Sequence, residues 1–139
     1  MKEDENTIVK SIAYKIYWAG RYLERIENVC RISIFTLKSG LDLKSVAKEY
    51  GLEDEKEVIN YIRTSFQYLR EDIRSFGDEK LMIEANSLGF LIDSDNSDLI
   101  NYFTQILNGV INLGNSFEKY FVEVRSEMKI RSQEENQPE

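Results

Sequence analysis

The segment Tyr17–Arg31, YWAGRYLERIENVCR, decides how the chain is read. At 100° per residue, Ala19, Leu23, Ile26 and Cys30 fall on one side of a helix. Arg21, Glu24, Arg25, Asn28 and Arg31 fall on the other. A strand would alternate with period two, and this segment does not. Extended outward, the same apolar face takes in Ile8, Ile12, Ile16, Ile34 and Leu37. Thr7 is a candidate N-cap and Gly40 a candidate stop. The spacing therefore predicts a first helix of roughly 32 residues, about 48 Å long. Gly20 lies inside it at a cost of up to about 1 kcal/mol relative to Ala, and close approach of a neighbouring helix is the expected reason.

The same periodicity continues along the chain. Asp42 and Gly51 bracket a short helix, LDLKSVAKEYGL. The acidic run EDEKE suits the positive end of a helix dipole and opens a second long helix. Its apolar positions are Val58, Ile62, Phe66 (or Ser65), Leu69, Ile73 and Phe76, ending before Gly77. Asp78 opens a third, with Leu81, Met82, Ala85, Leu88, Phe90 and Leu91. The loop DSDNSD leads into a fourth, carrying Phe103, Ile106, Val110, Leu113, Phe117, Phe121, Val124 and Met128. Gly109 and Gly114 on that helix would permit close helix contact. The only proline is Pro138, so none interrupts these segments. The expected fold class is all-α: an up-and-down bundle of four main helices plus one short helix. It would form a single domain over 1–131, with a disordered polar tail at 132–139.

Composition removes several functions. The net charge of -7 argues against nucleic acid as a partner, because phosphate binding needs a basic stripe, and against an anionic membrane surface. Leu99–Phe117 carries no formal charge over nineteen residues. Asn101, Gln105, Asn108, Asn112 and Asn115 inside it would be orphaned in lipid, so it reads as a water-soluble helix. That amide row is either solvated or a polar seam against a second chain. The start, MKEDENT, is unlike a secretory signal, and one cysteine cannot form an internal disulfide. Both point to the cytoplasm.

The chain has no histidine, which excludes Ser-His-Asp and Cys-His catalysis and a Glu-x-x-His di-iron site. No metal set and no cofactor motif is present: Asp93, Asp95 and Asp98 lack the glycine and bidentate Glu of a calcium loop. Cys30, on the apolar face, reads as a small buried hydrophobe.

What remains is the charged stripe. Glu27 has Arg31 at i+4, and Glu24 can reach Arg21 or Asn28. As a solvated face, such pairs are worth only a few tenths of a kcal/mol each. Tyr17, Trp18, Tyr22 and Ile32 border the stripe, and a second polar row, Arg63, Gln67, Arg70 and Arg74, lies on the next long helix. If the two rows face one another, Glu24 sits among guanidinium groups in a half-buried network. That network would hold helix register or an anion. The expected polar centre is Arg21, Glu24, Arg25, Asn28, Arg31 and Arg70.

The stretch through Trp18, Gly20, Arg21, Tyr22, Leu23, Glu24, Arg25, Glu27, Asn28 and Arg31 resembles the opening motif of the alpha-E domain family, helical proteins named for a Glu-Arg motif. A weaker match runs through SFQYLREDIRS and MIEAN, placing Arg70 and Asn86 on the family's Arg and Asn. Ser65, Phe66 and Gln67 stand where Asn-Ala-Arg is usual, and Met82 where tryptophan is common. Members are usually longer, so the chain resembles mainly their N-terminal half. The resemblance implies a helical domain found beside ATP-grasp-type ligases and transglutaminase-like proteins, hence a place in peptide or amide-bond modification.

The combined expectation is a non-enzymatic accessory or interaction protein. It would bind a protein partner or itself, with an anionic small molecule or peptide carboxylate as a further ligand class. The alternatives are an enzyme using Glu24 or Glu27 as general base beside an arginine clamp, and a purely structural homo-oligomer.

Overall fold

The computed structural model describes the backbone of residues 2–135 and the side chains of residues 10–125. Among these residues five helices follow one another: α1 (Lys2–Lys38), α2 (Leu43–Glu49), α3 (Glu55–Phe76), α4 (Glu79–Ile92) and α5 (Leu99–Glu135). Among the described residues there is no strand. The four long helices form a ring in which α1 packs on α3 and α5, and α4 packs on the same two.

Neighbours run antiparallel. Lys15 Nζ donates to Ser75 Oγ at 3.0 Å, while Tyr22 stacks on Tyr68, so position rises along α1 as it falls along α3. The end of α3 also meets the second half of α5, where Phe76 packs on Phe117 and Phe121 and its carbonyl accepts from Tyr120 Oη. The expected up-and-down bundle is the fold.

Local chemistry sets the boundaries. α1 and α2 both end in a left-handed glycine, Gly40 at φ 86° and Gly51 at φ 69°. After α1, Leu41 N donates to Thr36 O and Gly40 N to Leu37 O. After α2, Leu52 N donates to Ala47 O and Gly51 N to Lys48 O. This is the paired closure that satisfies the last carbonyls of a helix. Asp54, Asp78 and Asp98 cap the next three helices through their carboxylates, which accept from Glu57 N, Leu81 N and Asn101 N.

α1 begins earlier than expected, at Lys2 rather than after Thr7. The acidic residues that open the chain suit the positive helix end, so a hydroxyl cap is not needed there. α5 runs on to Glu135, four residues into the segment expected as a tail, and 136–139 lie outside the described residues.

The core sits inside the ring and is closed at one end by α2, which contributes Leu43, Val46 and Ala47. Phe103, Ile26, Ile62, Leu69, Ile73, Leu88 and Ile106 are fully buried, each worth roughly 1.5–3 kcal/mol in transfer terms. On α1 the buried side is rotated from the expected one, toward Val29, Ser33 and Thr36. On α3, Ser65 is buried and Phe66 is only half-buried. Phe90, expected in the core, is 78% exposed. A Cβ at Gly109 would lie 3.0 Å from Leu88 and Leu91, so this glycine does permit close packing of α4 on α5.

Candidate functional site

The charged stripe of α1 faces outward. Arg21, Glu24, Asn28 and Arg31 are exposed, and Arg25 and Glu27 are half-exposed. The packed sides of α1 belong to Ala19, Ile26, Val29 and Cys30, and this fixes the rotation that carries Glu24 away from α3. One expected pair forms: Arg31 Nε lies 3.6 Å from Glu27, largely solvated. Among the described residues, Glu24 makes no hydrogen bond or ion pair with Arg21 or Asn28. The half-buried guanidinium–carboxylate network anticipated between α1 and α3 is therefore not part of the fold.

Aromatic rings take its place. Tyr14, Trp18 and Tyr22 recur one turn apart along α1, with centroids 6.2 Å and 5.6 Å apart. The ladder then crosses to Tyr68 of α3, stacked on Tyr22 at 5.4 Å and 19°. The Arg25 guanidinium lies over this ladder, 5.6 Å from the Trp18 centroid and 5.3 Å from that of Tyr22, and Arg21 lies 5.9 Å from Tyr17. Each such contact is worth about 0.5–1 kcal/mol where water still reaches it. Burial raises the Tyr22 phenol above its ordinary value, with Arg25 acting the other way. Sequence reasoning identified Tyr17, Trp18 and Tyr22 but missed Tyr14 and Tyr68. The 14–18–22 spacing was the available signal for Tyr14; Tyr68 has no local one.

Gly20 is part of this surface. It is exposed, and a Cβ built there would meet nothing within 4 Å. The expectation that a helix of the same chain presses on it is thus overturned.

Arg70 belongs elsewhere. On α3, Leu69 points into the core; Tyr68 and Arg70 lie about 100° to either side of it. Tyr68 takes the α1 side. Arg70 takes the α4 side, where its Nε donates to Asn86 Oδ1 at 2.8 Å. The six residues expected as one centre are therefore two groups on opposite flanks of α3. With Arg70 go Arg63, Gln67 and Arg74, which line a groove of ≈ 390 Å³ together with Asp93. Arg63 approaches Asp93 at 3.8 Å, both largely exposed.

Cys30 is buried, and burial alone pushes its thiol up to about 12, which leaves it unreactive near neutrality. Among the described residues, no group of acidic or cysteine side chains is arranged to hold a metal ion. None of the described helices is long and apolar enough to cross a membrane. The amide row of α5 (Asn101, Gln105, Asn108, Asn112, Asn115) is exposed throughout.

A family model described as a predicted alpha-helical domain with a conserved ER motif, alpha-E, matches residues 10–101. The chain belongs to the alpha-E family. The one Glu-Arg step in the matched segment is Glu24-Arg25, so the alpha-E motif lies on the outer surface of α1, its Glu solvated and its Arg on aromatic faces. The matched region covers most of α1, all of α2 to α4 and the first residues of α5. No curated protein and no solved structure matches the chain.

Proposed function

We propose that this alpha-E protein is a non-enzymatic interaction module that uses the outer face of α1 to dock a partner protein. Arg21, Glu24, Arg25, Asn28 and Arg31 supply the polar contacts, and Tyr14, Tyr17 and Tyr68 the apolar ones. One observation carries the reading: the Glu of the family's Glu-Arg motif is not consumed by the fold, and the Arg engages only aromatic faces at the surface. A motif retained for packing would be buried or paired, yet Glu24 is solvated and a Cβ at Gly20 would meet nothing among the described residues. Tyr14, Tyr17 and Tyr68 are 64%, 58% and 51% exposed, and Tyr, Trp and Arg are the residue types that dominate binding energy at interfaces. The open space above Gly20 lets a partner backbone approach closely. The resemblance to proteins found beside ATP-grasp-type ligases and transglutaminase-like proteins suggests the partner is an enzyme of peptide or amide-bond modification.

Photo-cross-linking tests this reading. A cross-linking side chain at Tyr17 in the native host should capture one discrete partner. The same group at Asn108 on α5 should not. Equal capture at both positions, or none at Tyr17, contradicts it.

A second reading, self-association, draws support from the exposed amide row of α5, where uncharged side chains can bond across a seam without burying charge. Light scattering on the purified chain decides it, since a monomer removes it. The enzymatic alternative has less support: Glu24 is solvated and Glu27 is engaged by Arg31.

A further inference from the structure

The groove between α3 and α4 has the chemistry of a second site, independent of the α1 face. Arg63, Gln67, Arg70 and Arg74 follow one another at i, i+4, i+7 and i+11, so they share one side of α3. Three guanidinium groups on one strip are unusual in a chain of net charge -7. Their engagement differs. Arg63 has a counter-ion in Asp93. Arg70 is half-buried and oriented by Asn86, which occupies its Nε–H; among the described residues its Nη–H donors have no partner. Arg74, one turn on, has no ion pair or hydrogen bond among the described residues. Arg70 and Arg74 are about 6 Å apart along the helix axis, close enough to share one small anion.

Arg70 is also a shared wall. On its other side lies a depression of ≈ 410 Å³ lined by Phe66, Asn86, Gly89, Phe90 and Asp93. Phe90 is 78% exposed, an apolar ring that none of the described residues covers. A Cβ at Gly89 would lie 2.8 Å from the Phe66 ring, so this glycine is what lets Phe66 lie flat against α4 and form the floor. One side of Arg70 thus carries the other two guanidinium groups and the other carries the two phenylalanine rings, with Asp93 lining both.

We infer that this groove binds a carboxylate carried next to an apolar group, with Arg70 and Arg74 holding the carboxylate and Phe66 and Phe90 the apolar part. That chemistry is shared by the C-terminal residue of a peptide and by a free small carboxylic acid. Charge favours a carboxylate over the dianion of phosphate. The three arginines face two carboxylates in the lining, Glu71 and Asp93, which leaves one positive charge in excess and suits a monoanion. The planar guanidinium fork matches the oxygens of a carboxylate and of a phosphate alike, so the choice between them rests on charge and on the apolar part of the ligand.

The experiment is an NMR titration of the full chain that follows backbone amides and the Arg70 Nε–H. The probe is N-acetyl-phenylalanine, compared with its C-terminal amide, with N-acetyl-glycine and with inorganic phosphate. The acid is expected to shift Arg70 Nε–H and the Phe90 amide and to saturate in the millimolar range. The amide should bind roughly tenfold more weakly or worse, because a charge-assisted pair is lost. Arg74→Ala and Phe90→Ser change exposed side chains and leave the fold intact. The first should weaken the acid roughly tenfold; the second should weaken N-acetyl-phenylalanine but not N-acetyl-glycine. A tripeptide ending in phenylalanine that binds more tightly than the free acid assigns the source to peptides, and equal binding assigns it to small acids. Acid and amide binding alike, phosphate matching the acid, shifts centred away from α3 and α4, or no saturation in the millimolar range would each overturn the inference.

Discussion

Arg70 donates its Nε–H to Asn86 Oδ1 at 2.8 Å, joining α3 to α4 through the two residues on which the weaker half of the alpha-E resemblance falls. The bond is half-buried and its donor is charged, so replacing Asn86 by Leu strands a guanidinium N–H beside apolar atoms. Such a loss costs about 1–2 kcal/mol. Urea denaturation of Asn86→Leu should show a lower midpoint with an unchanged slope. An unchanged midpoint would mean that the bond exchanges freely with water.

Two glycines should respond oppositely to alanine. At Gly20 a Cβ meets nothing, so Gly20→Ala is expected to stabilise the helix by about 0.5–1 kcal/mol. At Gly77 a Cβ would sit 2.9 Å from the Ile73 carbonyl oxygen, which already accepts the Gly77 N–H. Gly77→Ala should therefore destabilise by about 1–3 kcal/mol through backbone displacement. Thermal melts of the two variants check both signs.

Much of the architecture was legible in the sequence because its signals are local. Gly40 and Gly51 announced helix ends, the acidic run EDEKE and Asp78 announced helix starts, and the 3.6-residue repeat named most of the core. The misreadings share one physical cause. Residues on the flank of an apolar stripe, such as Phe66, Phe90 and Arg70, can turn to either neighbouring helix or to water. Only the tertiary arrangement decides which. Glu24 illustrates it: its spacing to Arg21 and Asn28 allowed local pairs, but α1 buries Val29 and Ser33, and that rotation leaves the Glu24 carboxylate in solvent.

Cys30 should be inert while the chain is folded. With its thiol pushed up to about 12 by burial, an aromatic disulfide reagent near neutral pH should react only as fast as the protein opens. Rapid labelling of native protein would contradict the burial.

Asp72 gives the chain a pH dependence of definite sign. Partial burial raises its carboxyl above the ordinary value; Lys15 pulls it down and Glu71 pushes it further up. The folded state therefore keeps this proton to higher pH than the unfolded state. Its contribution to stability is fully present below the unfolded value and is lost as pH rises through the folded one. Melting temperatures of Asp72→Asn should lack that part of the decline seen in the wild type across the mildly acidic range.

The claim that the α1 motif faces a partner is tested most directly by Arg25→Ala, read out twice on the same preparation. Its side chain rests on Trp18 and Tyr22 with no ion pair among the described residues, so stability should fall by no more than about 1 kcal/mol. Retention of the partner captured through Tyr17 should fall at least tenfold, the loss typical of an interface arginine at a binding hot spot. Full retention of that partner, or a loss of retention that only follows a comparable loss of stability, would contradict the account and leave the Glu-Arg motif a part of the scaffold.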